Sequence, residues 1–240
     1  MLTALGLRLR LRVFLALAVS AGVCFAVEYL TGATKAVLSD ADPAVTAKGK
    51  RVVVVGGGDT GNDCVGTALR QGCASVVQLE MRPEPPLSRP AGDPWPLWPR
   101  TLRTDYGQQE AMFRQGADPR VYCTTVRRVL KSGAGEIKGI ETVRVWRDES
   151  GRMAQVPGTE KELPCELLLI AAGFLGCETE TARLFRAETD ARGNLSGAGG
   201  SHMLRDGLFS AGDMRTGQSL VVRALADGRA GAKEVHAYLS

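Results

Sequence analysis

Glycines are the residues best placed for chemistry in this 240-residue sequence. Gly56, Gly57, Gly58, Asp59, Thr60 and Gly61 form a continuous G-x-G-x-x-G run. In that spacing Gly56 makes a tight turn, Gly58 lets backbone amides approach a pyrophosphate, and Gly61 lets a helix pack closely on the preceding strand. The pyrophosphate then rests on a helix N-terminus, where free N–H groups and the helix dipole favour negative charge. Glu80 lies 80 − 61 = 19 residues beyond the last glycine, close to the spacing of an acid that binds a ribose hydroxyl. Arg82 stands two residues on, where a guanidinium could pair with a ribose 2′-phosphate. A carboxylate and an arginine so close leave NADH and NADPH both open. A purely structural βαβ turn is the alternative to dinucleotide binding.

A second set lies near the end of the chain. Gly207 to Asp213 reads as a strand ending in Gly212-Asp213, and Gln218 and Ser219 precede a helix. An acid at such a strand end can accept hydrogen bonds from a flavin ribitol, and the following helix start can face a reduced flavin with its positive dipole end. Gly173 closes an earlier apolar strand on Ala-Ala-Gly and belongs to the same candidate group. A plain turn is the alternative for Gly212-Asp213.

Other chemistries have little to build on. Only two histidines occur, His202 and His236, both expected on the surface. Cysteines stand at 24, 64, 73, 123, 165 and 177 with no Cys-x-x-Cys pair, so no iron–sulfur or zinc ligand set is expected. Reduced thiols are expected instead. The hydride chemistry would then be borne by a bound cofactor, with no catalytic side chain.

The elements that hold these residues follow from periodicity. Residues 50–55 form a β-branched run typical of a strand buried on both faces, 62–72 a helix stopped by glycine, and 74–80 the next strand. Residues 83–99 are proline-rich and extended, with Trp95 and Trp98 expected to pack against the domain. A helix is expected over 104–113, antiparallel strands over 121–126, 137–146 and 153–156, a buried strand over 165–174, and a helix over 220–239. Near the start, Arg8, Arg10 and Arg12 precede an apolar stretch, 13–27. That stretch reads as a buried helix continuing to Leu30, as a targeting segment, or as a short membrane anchor. Thirty basic against 26 acidic residues give a net charge of +4. The charge is scattered, which argues against a nucleic-acid partner.

Several blocks resemble the C-terminal part of the glutamate synthase small (β) subunit. They include Gly56–Gly61, Asn62–Cys64, Arg70–Gly72, Pro94–Pro99, Asp105–Gly107, Asp118–Arg120, Gly173–Gly176, Ala211–Arg215 and Gly217–Val222, within a match from about Gly22 to Leu239. The resemblance implies an α/β protein: a Rossmann-like NAD(P)-binding domain of three-layer ββα character plus the C-terminal half of an FAD-binding domain. It divides the chain into an unmatched segment (1–21), a linker helix from the FAD domain (22–48), the NAD(P)-binding domain (49–170) and the returning FAD part (171–240).

The implied activity is hydride transfer from NADH or NADPH to FAD. Electrons would pass to the large (α) subunit or domain, which forms glutamate from glutamine and 2-oxoglutarate. The family's iron–sulfur region and first FAD-binding βαβ are not matched, so the FAD site is expected to be half present and the isolated chain to hold FAD poorly. An inactive or truncated dinucleotide-binding module is the alternative. Two departures, Arg223 in place of an aromatic residue and Cys177 in place of proline, touch the expected flavin end. A cytoplasmic or organellar setting is implied, with membrane association as the lesser alternative.

Overall fold

The computed structural model describes residues 21–95, 99–149, 151–174 and 176–240. The chain forms two compact units, one ending at Ala172 and one comprising Gly173–Ser240.

Five parallel strands run through the first unit in the order β1-β9-β2-β3-β4: β1 (Val23–Phe25), β2 (Arg51–Val55), β3 (Ser75–Leu79), β4 (Arg120–Val121) and β9 (Leu167–Ile170). Val52–Val55 and Leu167–Ile170 are buried at every position, because both faces of the sheet are covered. On one face, Val52, Val54, Leu167 and Leu169 pack against helices α1 (Ala26–Ser39) and α2 (Asp59–Arg70), which contribute Tyr29, Cys64, Val65 and Leu69. On the other, Val53, Val55, Leu79 and Leu168 meet Val126, Ile137 and Ile140. Those last residues belong to an antiparallel sheet of β5 (Thr124–Lys131), β6 (Ile137–Arg147), β7 (Met153–Gln155) and β8 (Lys161–Pro164). The alternation of side chains along each parallel strand therefore divides the apolar residues between two cores. Helix, parallel sheet and antiparallel sheet make three layers.

Local structure departs from expectation in three places. Residues 121–126 are not one strand: Arg120–Val121 joins the parallel sheet, Cys123 turns the chain at φ 52°, and Thr124 opens β5. The described part of the 13–27 stretch is a strand, β1, pairing with β9, and the helix begins only at Ala26. Helix α1 packs inside the first unit, with Tyr29 buried and its hydroxyl donating to Gln71 Oε1 at 2.9 Å. Trp95, expected to pack, is 83% exposed, while Asp93 takes the buried position of that turn and accepts the Arg100 N–H. Residues 1–20, with Arg8, Arg10 and Arg12, lie outside the described residues, as does Trp98.

The second unit contains α4 (Thr179–Leu184), a two-stranded antiparallel ribbon of β10 (Met203–Arg205) and β11 (Leu208–Phe209), α5 (Asp213–Thr216) and α6 (Val221–Leu239). Gly231 is the buried residue of α6. Above it lies His202, which is not on the surface as expected but 4% exposed. Its Nδ1 sits 2.6 Å from Glu234 Oε1 and its Nε2 3.0 Å from the Asp227 carbonyl. A Cβ at Gly231 would come within 2.9 Å of the imidazole, so the missing side chain is what admits the ring. Among the described residues, no helix is long and apolar enough to cross a membrane.

Candidate functional site

The glycine run leaves β2 and enters α2 at the end of the parallel sheet. Gly56 adopts φ 126°, a conformation open to glycine, and a Cβ there would overlap the Ala171 carbonyl. At Gly57 the space is filled by the Glu80 carboxylate, and at Gly61 by the Gly56 carbonyl and the Gln78 amide. Gly58 differs: nothing lies within 4 Å of where its Cβ would stand. It is the N-cap of the twelve-residue α2 and has no side chain to cap the helix. Asn62 N–H returns to Gly58 O at 3.0 Å as the first helical bond, so the amides of Asp59, Thr60 and Gly61 have no acceptor within the helix. The free amides and the open approach at Gly58 fit an incoming pyrophosphate. Asp59 places its carboxylate in the first turn, where the helix dipole favours it.

Glu80 reaches this loop from the end of β3. Its Oε2 accepts the Gly57 N–H at 3.1 Å and its Oε1 the Arg82 N–H at 2.8 Å. Both bonds fix a carboxylate at the rim of the loop, and Arg82 is exposed beside it. Thus Gly56, Gly57, Gly58, Asp59, Thr60, Gly61, Glu80 and Arg82 come together in the first unit.

The remaining candidates lie in the second unit. Asp213 opens α5 directly after Gly212, and its Oδ1 is buried without a hydrogen-bond partner. A cavity of about 500 Å³ is lined by Asp213, Ser219 and the Val221, Ala224 and Leu225 side of α6. An orphaned acceptor beside a largely apolar cavity, which Arg229 also lines, fits the hydroxyl chain and ring edge of a flavin. Helix α6 starts at Val221, and Gln218 donates from Nε2 to the Gly176 carbonyl at 2.8 Å. Gly173, at φ 96°, is exposed and is not among the cavity-lining residues.

Behind Gly212 lies a charge cluster that the sequence reading missed. Asp227 Oδ2 accepts the Gly212 N–H at 2.7 Å, and Arg215 forks onto the same carboxylate. The Arg215 guanidinium holds the Asp227 carboxyl down at about 2. Glu234, bonded to His202 and Ser201, is likewise lowered to about 2. A signal for this cluster exists in the sequence: Asp227, Gly231 and Glu234 stand at i, i+4 and i+7, a polar stripe with a gap on one helix face.

The three layers around a glycine loop define the class, an α/β fold shared with solved FAD/NAD(P)-binding oxidoreductases. The Mycobacterium tuberculosis protein FprA, solved in complex with NADPH, aligns over 92% of this chain and 59% of its own with a TM-score of 0.61 at 17% identity. Within that class the chain is similar to the C-terminal part of glutamate synthase small chains. It is 40% identical over 228 residues to the NADPH glutamate synthase small chain of Bacillus subtilis, covering 92% of this chain and 46% of that one. It is also 40% identical over 223 residues to the NADH glutamate synthase of Saccharomyces cerevisiae, covering 90% of this chain and 10% of that enzyme. The chain thus spans less than half the length of these relatives. No protein-family model matches it.

Proposed function

We propose that the chain binds a reduced nicotinamide dinucleotide on the Gly56–Gly61 loop and carries flavin contacts around Asp213, as the NAD(P)H-to-FAD segment of a glutamate synthase. On this reading 49–170 is the nicotinamide-dinucleotide domain, 22–48 enters it from the FAD domain, and 171–240 returns to that domain. The observation that carries the reading is the open approach at Gly58, on a loop whose neighbouring glycines are all packed against protein. When bound, the nicotinamide supplies a hydride and the flavin accepts it.

The chain's own groups bind and orient. The amides at the start of α2 receive the pyrophosphate, and the Glu80 carboxylate meets the adenosine ribose. A fixed anion there accepts from a free 2′-hydroxyl and repels a 2′-phosphate, which favours NADH over NADPH. Asp213 Oδ1 is the acceptor offered to a flavin hydroxyl. The large subunit or domain of glutamate synthase is the proposed electron acceptor, in the cytoplasm or an organellar matrix or stroma. The small-chain name of one relative and the tenfold greater length of another support that partner.

Fluorescence titration of the 240-residue chain with NADH and NADPH tests the reading. The parent is expected to bind, NADH more tightly. Gly58→Val is expected to weaken binding at least about tenfold, the worth of one charge-assisted contact, with the melting temperature nearly unchanged because the new side chain enters open space. Equal affinity in Gly58→Val and parent would remove the loop from the site.

A further inference from the structure

The strand β3 reads Ser-Val-Val-Gln-Leu, and its one strongly polar residue, Gln78, is completely buried. A buried amide inside a parallel sheet costs free energy unless every polar atom is partnered. Gln78 donates from Nε2 to the Gly56 carbonyl at 2.9 Å and accepts at Oε1 from Gln108 Nε2 at 3.1 Å. Gln108 in turn donates its backbone N–H to Asn62 Oδ1 at 3.1 Å, and its Oε1 accepts the Asp105 N–H at 2.8 Å in the capping box of α3 (Tyr106–Gln115). Asn62 closes the circuit through its bond to Gly58 O.

Gln78 on β3 and Glu80, the residue that follows the strand, are two positions apart, and both reach the glycine loop. Gln78 holds the carbonyl of Gly56 while Glu80 holds the N–H of Gly57. Those two groups belong to a single peptide plane, which is therefore gripped at both poles. The glycine at 61 serves the same end, since a Cβ there would come within 2.6 Å of the Gln78 amide nitrogen.

We infer that Gln78 is a positioning residue for the dinucleotide loop: with Glu80 it fixes the Gly56–Gly57 peptide so that the amides after Gly58 face the pyrophosphate, and Gln108 ties that setting to the cap of α3. The inference rests on the dinucleotide reading above. Gln78 itself touches no nucleotide and acts through the loop.

The test compares Gln78→Met, which keeps the volume and removes both bonds, with Thr142→Val in the same unit. Thr142 is a buried hydroxyl that donates to the Lys161 carbonyl at 3.1 Å, in the antiparallel sheet and away from the loop. Melting temperature and NADH affinity are measured together, the latter far below the melting range. Both variants are expected to melt earlier. Gln78→Met alone is expected to bind NADH about three- to tenfold more weakly, the worth of one neutral hydrogen bond's positioning.

Gln108→Met, which leaves the Gly56 bond in place, is expected to weaken binding by a smaller factor and carries the test if Gln78→Met does not fold. Unchanged affinity in the folded variant, or an equal loss in Thr142→Val, overturns the positioning role. A parent chain that binds neither NADH nor NADPH overturns the dinucleotide reading and takes this inference with it. A parent that binds while Gln78→Met binds equally overturns the inference alone.

Discussion

The networks that hold the candidate sites of the two units are built from different chemistry. In the first, the dinucleotide loop is wired by neutral amides: Gln78, Gln108 and Asn62 are buried and satisfied by one another and by the glycine loop, while the buried carboxylates Asp93 and Glu141 belong to the proline-rich turn and the antiparallel sheet. In the second, the network behind Gly212 is built on charged side chains. A two-stranded ribbon and a 19-residue helix with one buried residue offer little apolar area, and polar contacts among His202, Asp227, Glu234 and Arg215 tie the helix to the segments before it. Neutral networks fix a geometry and are insensitive to pH. Ionic ones fix it as firmly only while every partner keeps its charge.

The largest expected effect follows from breaking the ionic set at its centre. Asp227 and Arg215 have side chains 10% and 15% exposed, and Asp227 also holds the Gly212 N–H in front of Asp213. Asp227→Asn leaves Arg215 without its anion and is expected to cost the second unit about 3 kcal/mol, the lower end for a broken buried pair. Hydrogen exchange resolved by segment is the measurement: amides of 201–240 should exchange faster while those of β2, β3 and β9 keep their protection. Equal loss of protection in both units would mean that they unfold together, and the contrast drawn above would collapse.

Acid should reproduce the same contrast more gently. The Asp227 and Glu234 carboxyls ordinarily titrate at 3.8 and 4.5 and are held at about 2 in the folded chain. Groups held low in this way lend stability that is complete above their ordinary range and is lost as pH falls through the folded values. Between about pH 4 and pH 2 the second unit is therefore expected to lose protection first, and Asp227→Asn to shrink that loss. A first unit that opens earlier in the same titration would reverse the assignment of where charge matters.

The sequence made the first unit far more legible than the second. Val52–Val55 followed by six residues of glycine pattern and a helix stopped at Gly72 announces a βαβ turn, because burial on both faces and the turn's steric demands each select residue types. Its internal wiring was not legible. Gln78 carries no periodic signal, and its partner Gln108 comes from a helix 30 residues on. Likewise His202 stands in a Ser-His-Met context that says nothing of burial, and only the spacing of Asp227, Gly231 and Glu234 on α6 hints at a ring seated there. Trp95 misled for the converse reason: an aromatic among prolines reads as packing, yet Asp93 fills the inward position.

The smallest effect leaves stability untouched and reads how tightly the first core is closed. Burial pushes the Cys64 and Cys165 thiols up to about 12 and Cys24 to about 11. Alkylation proceeds through the thiolate, and at pH 8 a thiol titrating near 12 is ionised only about once in ten thousand molecules. Cys177 in the second unit is half-buried on the loop after Gly176, with no such closed core around it. Iodoacetamide at pH 8, followed by peptide mass analysis, is expected to modify Cys177 at least about a hundredfold faster than Cys64 or Cys165, and denaturant is expected to bring the rates together. Because a buried thiol can react only when its surroundings open, native labelling of Cys64 at the rate of Cys177 would show the Val- and Leu-lined core opening as readily as the loop after Gly176.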